Sequence, residues 1–83
     1  MPSTDITATN FADGEIGVLD LLVLTKLAPS KGEGRRLIDQ GGISVDNEKI
    51  LSSAEKLSLN HFEKKYVVIK KGKKVFHKVN LVD

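Results

Sequence analysis

The sequence predicts a small α+β domain: two short packed helices followed by a small, mainly antiparallel sheet. Three observations predict it. Apolar residues between Ile16 and Ala28 keep helical spacing, with Leu19, Leu22, Val23 and Leu27 at i, i+3, i+4 and i+8. A second, shorter helix is bounded by capping residues on both sides, Ser30 before it and Gly41-Gly42 after it. From Ile43 onward the apolar residues come in short alternating or β-branched runs separated by turn residues. Helices first and strands afterwards argue for α+β rather than alternating α/β units.

Residues 1 to 15, MPSTDITATNFADGE, are polar and show no periodicity. They read as a flexible tail or linker, with the folded domain over 16 to 83. The first helix, 16 to 28, is apolar almost all round, which predicts burial on more than one side, and Pro29 is its expected stop; a β-strand is the competing reading, since Val and Leu alone do not decide. In the second helix, 31 to 40, Ser30 and Glu33 have capping-box spacing. Gly41 supplies the left-handed stop. At 100° per residue Leu37 and Ile38 define the inner face, with Gly34 between them. Glycine there suggests close approach by the first helix. Lys31, Arg35, Arg36 and Asp39 fall on the outer half, and Gln40 follows Arg36 by one turn.

Ile43-Ser44-Val45 alternates as a strand, Asp46-Asn47 is turn chemistry, and Glu48 to Leu51 can return. Residues 52 to 65 give no clear pattern beyond a possible helical turn. Tyr66 to Ile69 is β-rich, Lys71-Gly72 reads as a two-residue turn, and Lys73 to Val82 as a long final strand. On that strand Phe76 could stack on a base, but facing a helix in the core is the favoured reading, and Tyr66 is read the same way. His77 shares a face with Val75 and Val79 and is expected to be half-buried.

Several function classes are excluded or disfavoured. Without cysteine there are no disulfides and no thiolate metal sites. His61 and His77 lack companion ligands for zinc. No run approaches the ~20 apolar residues of a membrane span, and the N-terminus does not resemble a signal peptide. A cytoplasmic protein without membrane attachment is the expectation. No Gly-rich phosphate loop or nucleophile elbow is found. Ser30 is explained by capping, and Glu33 and Asp39 point to different sides of their helix. Catalysis by this chain alone is not expected.

Charge points elsewhere. Residues 1 to 20 hold four acids and no base; residues 21 to 83 hold all thirteen Lys and Arg against seven acids. Lys31, Arg35 and Arg36 sit within the first turn and a half of a helix. Cations there oppose the macrodipole, and a bound anion would relieve them. Seven lysines lie between residues 64 and 78, around one hairpin turn. They serve either to protect an exposed edge strand or to contact phosphates.

At residues 19 to 50, LDLLVLTKLAPSKGEGRRLIDQGGISVDNEKI, the chain resembles the S-four-type RNA-binding domain. That pattern is a leucine-rich helix, Ser-Arg/Lys-x-Glu-Ala-Arg-Arg-Leu-Ile, a glycine stop, then Val-x-Val-Asn-Gly. The double glycine, the acidic lead-in and the closing YVVIKKGKK look most like the C-terminal domain of bacterial-type tyrosyl-tRNA synthetases. The resemblance implies two helices on a small sheet, with the second helix lying on structured RNA. It implies a non-catalytic part of a tyrosine–tRNA ligase, gripping tRNA for tyrosine at the variable arm and anticodon stem. No cofactor is expected in this chain, since ATP and tyrosine would bind in the catalytic domain. The fragment is expected to be monomeric and the parent enzyme a homodimer.

Ser30, Lys31, Arg35, Arg36 and Gln40 match the motif positions where the family meets RNA. Lys49, Lys71, Lys73 and Lys74 complete the candidate RNA-binding residues. Three departures stand out: Gly34 replaces Ala, Asp39 stands where Lys is common, and Asp46-Asn47 replaces Asn-Gly. The competing readings are a free-standing RNA- or ribosome-binding module of the same fold, and a protein-interaction domain with solubilising lysines.

Overall fold

A computed structural model describes residues 2–82. Its main sheet has five strands: β1 (Ser3–Ile6), β3 (Ile43–Val45), β4 (Glu48–Lys49), β6 (Tyr66–Lys71) and β7 (Val75–Leu81). Their order is β1-β7-β6-β3-β4, antiparallel throughout except for the parallel β1–β7 pair. A second sheet pairs β2 (Glu15–Gly17) with β5 (Lys56–Ser58). Two helices, α1 (Val18–Leu24) and α2 (Lys31–Asp39), cover one face of the main sheet. Between the helices and the sheet lies the core, whose fully buried side chains include Leu21, Leu22, Ile43, Phe62, Val67, Ile69 and Val79.

The N-terminal segment is not a tail. Ser3 to Ile6 pairs with Lys78 to Leu81. Ile6 is 3% exposed, within the core. Thr4 Oγ1 lies 2.7 Å from His77 Nε2, and Asn80 Nδ2 donates to Asp5 Oδ1 at 3.0 Å. An edge strand this short sends one apolar side chain inward, so its sequence carries no hydrophobic pattern to detect. Asp13 (φ 54°) and Gly14 (φ 78°) then turn the chain into β2, with Ala12 and Glu15 exchanging hydrogen bonds of 2.7 and 3.0 Å. Asp-Gly is a strong hairpin signal. Ile16 pairs with Leu57, and both are buried. Phe11 meets Phe62 edge-on, with centroids 5.4 Å apart.

α1 is shorter than the apolar run that encodes it, and Pro29 does not end it. Thr25 caps it: the Thr25 backbone N–H and Oγ1 both donate to the Leu21 carbonyl, at 2.9 and 2.8 Å. Lys26 then turns left-handed at φ 62°. Burial is mainly on one side, through Val18, Leu21 and Leu22, while Leu24 is exposed.

The β6–β7 loop also differs from expectation. Lys71 pairs with Val75, so the loop is the three residues Gly72 to Lys74, with Gly72 at φ 67°. A two-residue turn at Lys71-Gly72 would have set Lys70 opposite Lys73, and therefore Phe76 opposite the buried Val67. The actual register sets Phe76 opposite Lys70, on the other face. A register change by an odd number of residues sends every side chain of a strand to the opposite face. Phe76 is accordingly 40% exposed rather than buried against a helix, and Tyr66 is half-buried on the same outer face. His77 faces the core at 7% exposure, and desolvation lowers its pKa from the usual 6.5. The 52–65 stretch contains β5 and a 3₁₀ turn, Leu59–Phe62, which places Phe62 in the core.

Candidate nucleic-acid interface

α2 is fixed by its own ends. Ser30 Oγ accepts from the Glu33 N–H at 3.3 Å. Only this half of the capping box is present, because Glu33 turns toward Arg36, with Oε1 and Nη1 3.7 Å apart. At the other end Gly41 is left-handed at φ 72°. The Gly41 N–H donates to Ile38 and the Gly42 N–H to Leu37, both at 2.9 Å. This is the paired closure of a Schellman motif. In the middle, a Cβ on Gly34 would lie 3.1 Å from Leu19 Cδ2 and 3.3 Å from Leu22 Cδ1. Glycine therefore permits the close approach of α2 to α1. With both ends and the inner face fixed, the azimuth of the outer residues is fixed as well.

Ser30, Lys31, Arg35, Arg36 and Gln40 are all exposed. Lys31 Nζ lies 3.1 Å from Asp20 Oδ1, and Arg36 is paired with Glu33. Arg35 makes no ion pair among the described residues, even with Asp39 one helical turn on. The two pairs that do form are solvent-exposed, where such contacts are worth about 0–1 kcal/mol. An incoming phosphate can therefore exchange with these carboxylates at little cost.

The candidate lysines outside α2 divide into two groups. Lys49 runs along the sheet edge to the C-terminal end of α2; its Nζ lies 2.9 Å from where a Gly41 Cβ would stand. An ammonium there faces the partial negative charge of the last helix carbonyls. Lys73 and Lys74 are exposed on the β6–β7 loop, which is tied to the same end of α2 by the Gly72 N–H donating to the Gly42 carbonyl at 2.8 Å. Lys71 is different. Its side chain turns to the helix side of the sheet, and Nζ donates to the Leu27 carbonyl at 3.0 Å. Strand alternation decides this: Lys71 follows Val67 and Ile69 on the inner face. It anchors the α1–α2 connection, and its ammonium is half-buried, away from the Lys73–Lys74 tip.

The sequence offers Phe76 as a base-stacking residue and the lysines between 64 and 78 as phosphate contacts, but favours the core for Phe76 and Tyr66; the structure turns both rings outward. Lys70, Lys78 and the neighbouring Lys64 surround Tyr66 and Phe76. The alternation of Phe76 with Lys74 and Lys78 was the available signal.

Two capped helices on a mostly antiparallel sheet, with cations along one helix and gathered at its end, define a small α+β domain with a cationic helix face. The chain belongs to the family described as the Tyrosine--tRNA ligase SYY-like C-terminal domain, which matches residues 1–79. The match begins ahead of β1, so this strand lies within the family's domain. Among similar proteins is the tyrosine–tRNA ligase of Acetivibrio thermocellus, 46% identical over 82 residues, covering 99% of this chain and 20% of that protein. Those of Clostridium botulinum and Clostridium tetani are 40% and 37% identical, covering 94% and 92% of this chain. The chain spans about one-fifth of the length of these relatives.

Proposed function

We propose that this chain is the tRNA-binding part of a tyrosine–tRNA ligase, holding folded tRNA for tyrosine, at its variable arm and anticodon stem, against the outer face of α2. The carrying observation is the rigidly fixed set Lys31, Arg35 and Arg36 on that face, in a chain of this family. Arg35, free of ion pairs among the described residues, is placed to grip a phosphate with its planar fork. Lys31 and Arg36 exchange Asp20 and Glu33 for phosphate. Ser30 and Gln40 bracket the face, one at each end of α2. Lys49, Lys73 and Lys74 extend the field beyond the helix C-terminus. Recognition is by shape and charge, since A-form RNA offers a shallow minor groove with phosphate rims. ATP and tyrosine bind in another part of the enzyme, which acts as a cytoplasmic homodimer.

The test is a salt titration of binding to a tRNA transcript for tyrosine and to an unstructured RNA. Changing Arg35→Ala together with Arg36→Ala is expected to lower the log–log salt slope for tRNA by roughly one to two. It is also expected to erase the preference for the folded RNA. A doubly changed protein that binds tRNA as tightly and selectively as the parent rules the reading out.

A further inference from the structure

α2 carries charge without aromatic surface. The outer face of the main sheet carries both. The two helices cover the inner face, leaving the outward side chains of β6 and β7 without a covering layer. Phe76, at 40% exposure, sits there with Lys70 Nζ 5.6 Å from its ring centroid. The Tyr66 ring has Lys78 Nζ at 4.5 Å and Lys64 Nζ at 5.5 Å. A shallow hollow of about 400 Å³ is lined by both rings, with Val68, Lys64, Lys70 and the Asp46-Asn47 turn.

Charge narrows the occupant. Three lysines converge on this face, and none of them has a carboxylate partner among the described residues. Two acids border the site and keep their charge: Asp46, a lining residue whose Oδ1 accepts from the Val68 N–H at 2.9 Å, and Asp5, whose Oδ1 accepts from Asn80 Nδ2; neither is paired with a lysine. The site is thus a pair of flat rings bordered by three lysines, with Asp46 at one side. A polyanion of plain phosphates would use the rim and ignore the rings. An acidic peptide would do the same. Unpaired nucleotides use both, because every base has a π-face to stack and every link a phosphate to neutralise. Lysines over exposed rings are weakly held and can swing toward phosphates as a base takes the ring face.

We propose that Tyr66 and Phe76 form a stacking site for unpaired nucleotides of RNA, with Lys64, Lys70 and Lys78 on the intervening phosphates. The site is separate from α2 and rests on the reading of this chain as an RNA binder. Folded RNA on α2 and an unstacked strand on the sheet would engage opposite layers of one domain.

Tyr66 is the sole tyrosine, and there is no tryptophan, so tyrosine emission reports this site directly. The 83-residue chain is titrated with a short uridine oligonucleotide and with an abasic strand of the same length. The uridine strand is expected to quench Tyr66 and the abasic strand to leave it unchanged. Phe76→Leu keeps an apolar side chain but removes the ring, and is expected to weaken uridine binding about tenfold or more. The Arg35→Ala, Arg36→Ala protein is expected to keep uridine binding and quenching. Three results overturn the site: unmoved emission at saturating oligonucleotide, equal binding of the abasic strand, or unchanged binding by Phe76→Leu. Each leaves the α2 reading intact. Loss of uridine binding in the arginine variant also overturns it, by showing that α2 had bound the strand.

Discussion

α2 and β1 attach to the same core by opposite means. Most of what shapes α2 lies within a few residues of it or in the helix it follows: the Ser30 cap, the Gly41-Gly42 closure, and Gly34 under Leu19 and Leu22, with the Gly72 bond to the Gly42 carbonyl as a distant addition. Among the described residues, no hydrogen bond from a sequence neighbour holds β1. Its partners are His77 to Leu81, more than seventy residues away. The helix is therefore a locally specified part, and its outer face has a set orientation. The strand exists because the rest of the fold offers an edge and a slot for Ile6. The α2 cations of the proposed interface sit on the first kind of element, where small changes elsewhere in the sequence do not re-aim them.

Three changes break or sharpen this contrast. The largest effect is expected from deleting residues 1 to 6. It removes Ile6 from the core and unpairs one side of β7. An Ile truncation alone costs about 2–5 kcal/mol. A denaturant midpoint that stays put would show that β1 is a passenger. Next is Gly34→Leu. A Cβ at this position already touches Leu19 and Leu22, so the longer side chain is expected to cost roughly 1–3 kcal/mol by overpacking. Equal stability in thermal unfolding would mean that the α1–α2 seam opens easily, and α2 would lose its fixed azimuth. The smallest effect is Ser30→Ala, about 1 kcal/mol for a lost N-cap. Circular dichroism and urea unfolding measure it. If this substitution costs more than the deletion, the local and distant contributions are ranked the wrong way round.

Legibility in the sequence follows the same line. α2 was legible almost residue for residue, and so were the Asp46-Asn47 turn and the closeness of Gly34 to α1. Each is decided by interactions within about four residues or by one helix meeting the next. β1 was not legible, because a single inward side chain leaves no periodic trace. The end of α1 was misplaced because Lys26 turns left-handed, at φ 62°, and closes the helix ahead of Pro29 without the glycine or asparagine that usually announces such a stop.

The candidate site divides in the same way. The sequence by itself determined that Ser30, Lys31, Arg35, Arg36 and Gln40 share the outside of one short helix, because helical geometry relates them without reference to anything else. Only the tertiary structure decided which face each residue of β6 and β7 takes. One extra loop residue, with the register it brings, turned Phe76 outward and left His77 in the core. Strand alternation carried Lys71 to the Leu27 carbonyl and Lys70 to the open face. A strand has two faces and no internal hydrogen bonds, so its neighbours choose which face is buried.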